Sequence, residues 1–201
     1  MSGSSQVDER TLHEIYLPAF EAAVKEGRTR GIMCAYNAIG GTFCAENKEL
    51  LTDILRTDWG YDGFVVTDWG AVKDRVKGLK AGLDLEMPGS TQGKTAAITA
   101  AVEQGALEES VLDEAVRNIL KFVKDAAENQ REGASVDREE LHRRSARYAG
   151  ECAVLLKNDS NLLPLQKEQK VVFIGAFAEN PRYQGAGSSH IHVAHQVSAM
   201  E

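Results

Sequence analysis

The sequence predicts an α/β fold in which short strands alternate with helices. Three observations support this class. Runs of β-branched and aromatic residues recur at 31–37, 63–69 and 83–89. Amphipathic segments long enough for crossover helices lie between these runs. No stretch approaches the roughly eighteen apolar residues of a membrane-spanning helix. The strands are therefore expected to pair in parallel, with right-handed connections.

The first predicted helix covers residues 8–26. An apolar stripe from Leu12 to Ala23 has helical spacing, and Gly27 ends it. Pro18 lacks a backbone donor, so a kink is expected there.

Strands and helices then alternate along the chain. Strands are predicted over 31–37, 63–69 and 83–89, and helices over 48–60, 72–82, 94–104 and 107–128. Asn47 can cap the first of these helices, and Pro88 ends the third strand. The last helix is expected to bury Val111, Ala115, Ile119, Phe122 and Val123.

A domain boundary is expected after these elements. The segment NQREGASVD breaks the helical pattern, and a long helix is predicted over 138–157. The apolar run VVFIGAFA at 171–178 is typical of the first strand of a new α/β domain. The predicted parts are an α/β domain at 1–128, a linker with a helix at 129–170, and the start of a second α/β domain at 171–201.

Composition and net charge indicate which kinds of molecule this protein can bind. The 201 residues are 43% hydrophobic and 26% charged, which is typical of a globular protein. The formal net charge of −7 predicts no nucleic-acid partner and no membrane partner, because phosphate-rich surfaces bind clustered basic side chains. A neutral or cationic small ligand fits this charge better.

The cysteines favour a reducing compartment. Cys34, Cys44 and Cys152 are odd in number and lack CxxC spacing, so free thiols are expected. A cytoplasmic location is therefore predicted, unless an export signal lies upstream of this chain. Cys34 lies inside a predicted strand and is expected to act as a small buried hydrophobe rather than as a nucleophile.

The stretch GFVVTDWGA at 63–71 carries the main candidate site. Alternation places Phe64, Val66 and Asp68 on one face of the strand, so an acid is expected to follow two apolar residues inward at the strand's carboxyl end. In α/β folds, ligands bind at that edge of the sheet. The alternative is that Asp68 caps the helix expected to begin near Ala71.

Several motifs closely resemble family 3 glycoside hydrolases of the β-glucosidase type. They are YLPAFEAAV at 16–24, MCAYN at 33–37, ELLTDILRTDWGYDGFVVTDWGAV at 49–72, KAGLDLEMPG at 80–89 and YQGAGSSH at 183–190. These motifs occur in the family's order, and the resemblance covers nearly the whole chain from Val7 onward.

The resemblance implies a (β/α)8 barrel of the TIM type followed by an α/β sandwich domain, with the sugar bound between them. This chain would then contain the C-terminal part of the barrel, a linker and the start of the sandwich domain. The implied site consists of Asp68 as catalytic nucleophile, Trp69 packed against the sugar, Tyr36 and Met33 lining the terminal-sugar subsite, and Ser188 or Ser189 on a loop above it.

The implied activity is that of a retaining β-glucosidase, which hydrolyses terminal β-D-glucosyl residues through a covalent intermediate on Asp68. Such an enzyme needs a second carboxyl about 5 Å away as acid and base. The resemblance places that glutamate beyond residue 201, so little activity is expected of this chain alone. No metal and no organic cofactor is needed for this chemistry. Exposed barrel edges predict self-association.

The residues alone leave other roles open. Trp69, Tyr36 and Met33 are residue types often found in protein cores. Asp84 and Glu86 share a strand face, so they form either a rival carboxylate pair or a structural pair that binds backbone.

Two further alternatives concern function. His190, His192 and His195 form either a loose metal site or a group of solvated loop histidines. The chain as a whole can be a non-catalytic remnant, or a sugar-binding module that assembles with a separately encoded partner. A doubly wound α/β binding protein is less favoured, because no phosphate-binding glycine loop opens a helix after a strand.

Overall fold

The computed structural model describes residues 3–89 and 92–201. The chain forms two compact units, Met1–Ala134 and Ser135–Glu201. The first unit has the predicted α/β character. Within the described ranges, none of the helices has the length and apolar character that crossing a bilayer requires.

The N-terminal helix is kinked, as predicted. It consists of α1 (Glu9–Thr11), a π-helix (Leu12–Tyr16) and α2 (Pro18–Lys25). Pro18 lies in the first turn of α2, where a backbone amide has no intrahelical partner to lose. Asp8 caps α1, and its side chain accepts a hydrogen bond from the Thr11 amide at 2.9 Å.

In the part of the chain that the structure describes, five short strands form two sheets. They are β1 (Ser4–Ser5), β2 (Gly31–Cys34), β3 (Ala38–Ile39), β4 (Thr42–Phe43) and β5 (Phe64–Thr67). β2 and β5 pair in parallel, with Gly31 opposite Phe64 and Cys34 opposite Thr67. β3 pairs in parallel with β1 and antiparallel with β4. The predicted parallel pairing of 31–37 with 63–69 is confirmed.

The crossover between β2 and β5 is a helix of ten residues with π spacing, Glu49–Asp58. The side chain of Asn47 accepts the Leu50 amide at 3.2 Å and so holds the first turn, as predicted. Leu51 and Leu55 on the inner side of this helix belong to the same buried cluster as Val65 of β5. The helix therefore covers one face of the sheet.

The covered face of β5 carries Val65 and Thr67, which are both 0% exposed. Phe64, Val66 and Asp68 lie on the other face and are half-buried. The buried face of this strand is thus the one opposite Asp68, because the crossover helix packs on that side.

The third predicted strand, 83–89, is shorter than expected. Only Leu85 forms a parallel bridge, to Val66. The amides of Asp84 and Leu85 both donate to the carbonyl of Val65, at 3.1 and 3.0 Å. A regular ladder uses each carbonyl once, so this doubled contact interrupts it.

Besides a short 3₁₀ helix (Cys44–Glu46), the described residues of the first unit form the helices α3 (Arg75–Ala81), α4 (Gln92–Glu103) and α5 (Glu109–Glu128). They agree with the predicted helices and share a small core formed by Leu79, Ala101, Leu107 and Ala115. The predicted burial of Phe122 and Val123 is wrong, because both are exposed on α5. Phe122 instead packs its ring 4.5 Å from that of Phe64.

The second unit departs most from expectation. Helix α6 (Arg138–Glu151) is shorter than the predicted helix 138–157. The predicted strand at 171–178 is wrong, since the described part of this unit contains no strand and Ile174 is 93% exposed. A parallel strand needs neighbours to take its backbone groups, and this segment has none within the unit.

Candidate active site

Asp68 is the first residue after β5, at the carboxyl end of the strand. Its amide still donates to the carbonyl of Cys34 in β2, at 3.2 Å. The backbone of Asp68 is thus tied to the sheet, while its side chain lies beyond the last residue of the strand. A carboxylate in this position has a well-defined location, because the sheet restricts its backbone.

Two donors meet on one oxygen of this carboxylate. The Tyr36 hydroxyl donates to Asp68 Oδ1 at 2.8 Å, and the Trp69 amide donates to the same oxygen at 2.6 Å. Among the residues that the structure describes, none donates a hydrogen bond to Oδ2. One oxygen is therefore held in place and the other remains available for a ligand.

Tyr36 is suited to remain a donor at neutral pH. The hydrogen bond to Asp68 raises the pKa of the Tyr36 hydroxyl above its ordinary value, and burial adds to the effect. The cause is electrostatic, because ionisation of the phenol would place two negative charges in contact. The structure thus brings together two residues that are 32 positions apart in the sequence.

Trp69 and Met33 present apolar surface near this carboxylate. Trp69 directly follows Asp68 and is 56% exposed, which is unusual for a large aromatic side chain. Met33 is also exposed and lies in β2 opposite Val66. Neither residue belongs to a buried core cluster. An exposed indole beside a carboxylate can pack against the C–H face of a ring-shaped ligand.

The helix after the site has another cap. Asp74 precedes α3, and its side chain accepts the Lys77 amide at 3.0 Å. The interpretation of Asp68 as the helix cap is therefore wrong.

The loop between Asp68 and α3 is anchored by a second carboxylate. Glu46 Oε1 accepts the amides of Lys73 and Asp74, each at 2.8 Å. At the other end of this loop, Gly70 has φ 78° and donates its amide to the Met87 carbonyl at 3.0 Å. Because a positive φ favours glycine, the turn after Trp69 requires a glycine at position 70.

Asp84 and Glu86 occupy structural positions. Asp84 Oδ2 accepts the Val65 amide and the Arg56 guanidinium, both at 2.7 Å. Burial raises the pKa of Asp84, while these donors counteract the rise. Glu86 is buried, with its Oε2 2.7 Å from Nε of Arg75. The Asp84 contacts agree with the alternative that it binds backbone, whereas the contact shown for Glu86 is an ion pair with a side chain.

Ser188 and Ser189 lie in the second unit, in a short 3₁₀ turn (Gly187–Ser189). Both are exposed. The Ser189 hydroxyl donates to the carbonyl of Ala186 at 3.1 Å.

The histidines of the second unit form ring contacts. The rings of His190 and His192 lie 6.3 Å apart, and those of His142 and His195 lie 5.2 Å apart. Within residues 3–89 and 92–201, no group of three or more metal-binding side chains comes together.

The three cysteines are free thiols, as predicted. Cys34 and Cys44 are buried and Cys152 is exposed. Burial raises the pKa of the Cys34 thiol to about 12, so it carries very little thiolate at neutral pH. This agrees with its interpretation as a small buried hydrophobe.

Thr67 has a role near the site that the sequence did not predict. Thr67 directly precedes Asp68 in the chain. Its side chain is fully buried, and its hydroxyl forms hydrogen bonds to the backbone of Met87. The available signal was the strand alternation, which places a polar Thr67 on the same buried face as Val65.

Two family descriptions match the chain. "Glycosyl hydrolase family 3 N terminal domain" matches residues 2–122, and "Glycosyl hydrolase family 3 C-terminal domain" matches residues 153–201.

The similar curated proteins are named as beta-glucosidases. The chain is 52% identical over 191 residues to thermostable beta-glucosidase B of Acetivibrio thermocellus, covering 95% of this chain and 25% of that protein. It is 39% identical over 206 residues to probable beta-glucosidase I of Aspergillus flavus, covering 100% of this chain and 24% of that protein. The chain thus spans about a quarter of the length of these relatives.

Solved structures are similar as well. A Bifidobacterium adolescentis GH3 beta-glucosidase superposes with a TM-score of 0.88 at 40% identity, covering 98% of this chain and 29% of that one. Beta-glucosidase 3B of Thermotoga neapolitana in complex with glucose gives a TM-score of 0.89 at 37% identity, with the same coverage.

Proposed function

The chain belongs to glycosyl hydrolase family 3, and on that premise we propose that it carries the nucleophile of a retaining β-glucosidase. The observation that supports this most directly is the geometry of Asp68. Its Oδ1 is held by Tyr36 and the Trp69 amide, while its Oδ2 has no donor among the described residues. The beta-glucosidase names of the relatives support glucose as the sugar.

The proposed chemistry uses the open oxygen. Oδ2 of Asp68 attacks the anomeric carbon, the bond to the leaving-group oxygen breaks, and a glycosyl ester forms on the enzyme. The departing oxygen takes a proton from a second carboxyl, which then removes a proton from the water that hydrolyses the ester. This chemistry requires no metal or organic cofactor.

Tyr36 and Trp69 have separate proposed roles. The hydroxyl of Tyr36 and the amide of Trp69 fix Oδ1, and thereby aim Oδ2 at the sugar. The exposed indole of Trp69 packs against the C–H face of the pyranose and displaces water from it. Met33 would line the same subsite, and Ser188 or Ser189 of the second unit is proposed as a further sugar contact.

The same proposal extends to the architecture. The units β2–helix–β5 and β5–α3–Leu85 are consecutive β/α units of a (β/α)8 barrel, of which residues 1–128 form the C-terminal part. Residues 129–170 form a linker, and 171–201 begin an α/β sandwich domain. The matches to the N-terminal domain at 2–122 and to the C-terminal domain at 153–201 support two domains, although the second match begins ahead of the proposed start at 171.

A mechanism-based reagent tests the nucleophile. The chain is incubated with a 2-deoxy-2-fluoroglucoside bearing a dinitrophenolate leaving group, and its intact mass and peptides are then measured. Because this leaving group departs without an acid, the test depends on Asp68 and not on the second carboxyl. We expect one fluoroglucosyl adduct, on Asp68.

Two variants serve as controls. Asp68→Asn should lose the adduct, whereas Asp58→Asn should keep it, because Asp58 is an exposed carboxylate at the end of the crossover helix. A folded wild-type chain that acquires no adduct, or that acquires it elsewhere than on Asp68, would contradict the proposal for this chain.

The alternative of a sugar-binding module that assembles with a partner has one observation in its favour. Met33 is exposed in β2, and so is an apolar stripe on α5 formed by Val116, Leu120 and Val123. Surfaces of this kind commonly mark an interface. The oligomeric state in solution tests this alternative.

A further inference from the structure

The side chain of Thr67 makes a reciprocal pair of hydrogen bonds. Its Oγ1 donates to the Met87 carbonyl at 3.2 Å and accepts the Met87 amide at 2.9 Å. A threonine hydroxyl has one donor and two acceptor positions, so both bonds form at once. The residue is 0% exposed, and water is therefore excluded from this contact.

These bonds replace a rung of the sheet. The Thr67 amide still donates to the Leu85 carbonyl at 2.9 Å, as in a parallel ladder. The next contact of the ladder is made by the Thr67 hydroxyl instead of by backbone. Backbone contact resumes where the Gly70 amide donates to the Met87 carbonyl, at 3.0 Å. Between Thr67 and Gly70, the backbone that follows β5 therefore makes no hydrogen bond to the backbone of residues 85–87, all of which the structure describes. The two residues in this interval are Asp68 and Trp69.

The other end of this strand is held in the same manner. The Val65 amide donates to Asp84 Oδ2 at 2.7 Å, so a side chain also replaces a rung at that end. Two buried side chains therefore attach β5 to residues 84–87, one of them immediately before Asp68.

We propose that the Thr67 hydroxyl is a positioning group for Asp68, fixing the strand end so that the carboxylate stays on Tyr36 and the Trp69 amide. The inference rests on the proposed function, because it concerns the same carboxylate. Thr67 touches no substrate and acts only through the backbone of the residue that follows it.

The test compares two variants. Thr67→Val keeps the shape of the side chain and removes both hydrogen bonds, whereas Thr67→Ser keeps the hydroxyl and removes a methyl group. A role in packing alone would make Thr67→Ser worse and spare Thr67→Val, whereas a role of the hydroxyl spares Thr67→Ser and makes Thr67→Val worse.

The first measurement needs no catalysis. Tyrosine labelled with ¹³C at Cζ is titrated by NMR from about pH 8 to about pH 12, around the ordinary phenol value of about 10. Tyr36→Phe assigns the signal. Since the bond to Asp68 raises the pKa of Tyr36, we expect Thr67→Val to lower it toward the ordinary value and Thr67→Ser to preserve it. An unchanged Tyr36 pKa in a folded Thr67→Val chain would overturn the inference.

The second measurement is the rate of labelling by the fluoroglucoside. Displacement of a reacting group by about 1 Å costs about 10²-fold in rate. We expect Thr67→Val to reduce the saturating rate constant by about this factor with little change in the half-saturating concentration, and Thr67→Ser to stay near wild type. An equal loss in both variants would refute a role for the hydroxyl.

The two measurements separate failure of the inference from failure of the proposed function. If the wild-type chain is not labelled, the proposed nucleophile fails in this chain, and the tyrosine titration still decides whether Thr67 positions Asp68. If Thr67→Val does not fold, Thr67→Ala, which also removes the hydroxyl, decides: a lowered Tyr36 pKa supports the inference, and an unchanged pKa overturns it.

Discussion

Replacing Arg56 by methionine is expected to destabilise the first unit by about 3 kcal/mol, the usual cost of breaking a buried ion pair. Arg56 and Asp84 pair at 2.7 Å, with side chains 16% and 3% exposed. Methionine preserves much of the apolar stem but leaves the carboxylate buried without its cation. Asp84 keeps hydrogen bonds from the Val65 amide and the Asn118 side chain, so the loss should lie near the lower end of the range of about 3–5 kcal/mol.

A second arginine provides the matched control. Arg30 pairs with Asp62 and Asp125, but its side chain is 44% exposed. Exposed pairs contribute about 0–1 kcal/mol, because water screens them. Arg30→Met should therefore change stability much less than Arg56→Met does, although it removes the same charge.

Urea unfolding followed by tryptophan fluorescence measures this difference. Trp59 and Trp69 are the two tryptophans of the chain, and both lie in the first unit. With a slope of about 1–3 kcal/mol per molar urea, a loss of about 3 kcal/mol lowers the midpoint by about 1–3 M. Equal midpoints for Arg56→Met and Arg30→Met would show that the buried pair contributes no more than a surface pair.

The pH dependence of Arg56→Met gives an independent check. Burial raises the pKa of Asp84 above its unfolded value, and loss of the cation raises it further. A carboxyl of this kind contributes stability that is fully present below the unfolded pKa and is lost as the pH rises through the folded pKa. The deficit of Arg56→Met should therefore shrink as the pH falls from about 7 toward the ordinary value of about 4.

Two other predictions concern surfaces and thiols. At about pH 8, iodoacetamide should modify only Cys152 in the folded chain and all three cysteines in urea. The reason is that burial raises the pKa values of the Cys34 and Cys44 thiols and limits access to them. Mass spectrometry that finds Cys34 modified in the native state would contradict this prediction. Self-association through exposed apolar faces should raise the mass measured by light scattering above the 21.9 kDa of one chain. Leu120→Gln on α5 should lower this mass, whereas Lys124→Gln should leave it unchanged. A monomer at all concentrations would refute this prediction.

Most elements of the first unit follow from local patterns. The kink at Pro18, the side chain of Asn47 at the crossover helix and the β2–β5 pairing were predicted from residue types and periods, because each depends on neighbours within a few residues or on one crossover. The predicted strand 171–178 fails for the opposite reason. An apolar run becomes a strand only when other strands take its backbone groups.

The candidate site shows the same limit at the level of single residues. The position of Asp68 at a strand end follows from the two-residue period of GFVVTDW. Its contact with Tyr36 does not, because those residues meet only through the parallel pairing of β2 with β5. The residue that caps α3 could not be identified from the sequence either, since Asp68 and Asp74 are both suitable residue types. Only the hydrogen bond from the Lys77 amide identifies Asp74 as the cap.

By itself, the amino-acid sequence determined the α/β class, the order of β2, the crossover helix, β5 and the helices α3 to α5, and the carboxylate at the end of β5, since these depend on periodicity and on residue chemistry. The short strands β1, β3 and β4 were not predicted. Only the tertiary structure decided which face of β5 is covered, which oxygen of Asp68 is held, and that the Thr67 hydroxyl replaces a rung of the sheet. The physical reason is that burial and hydrogen bonding depend on the distance in space between segments, which no local pattern encodes.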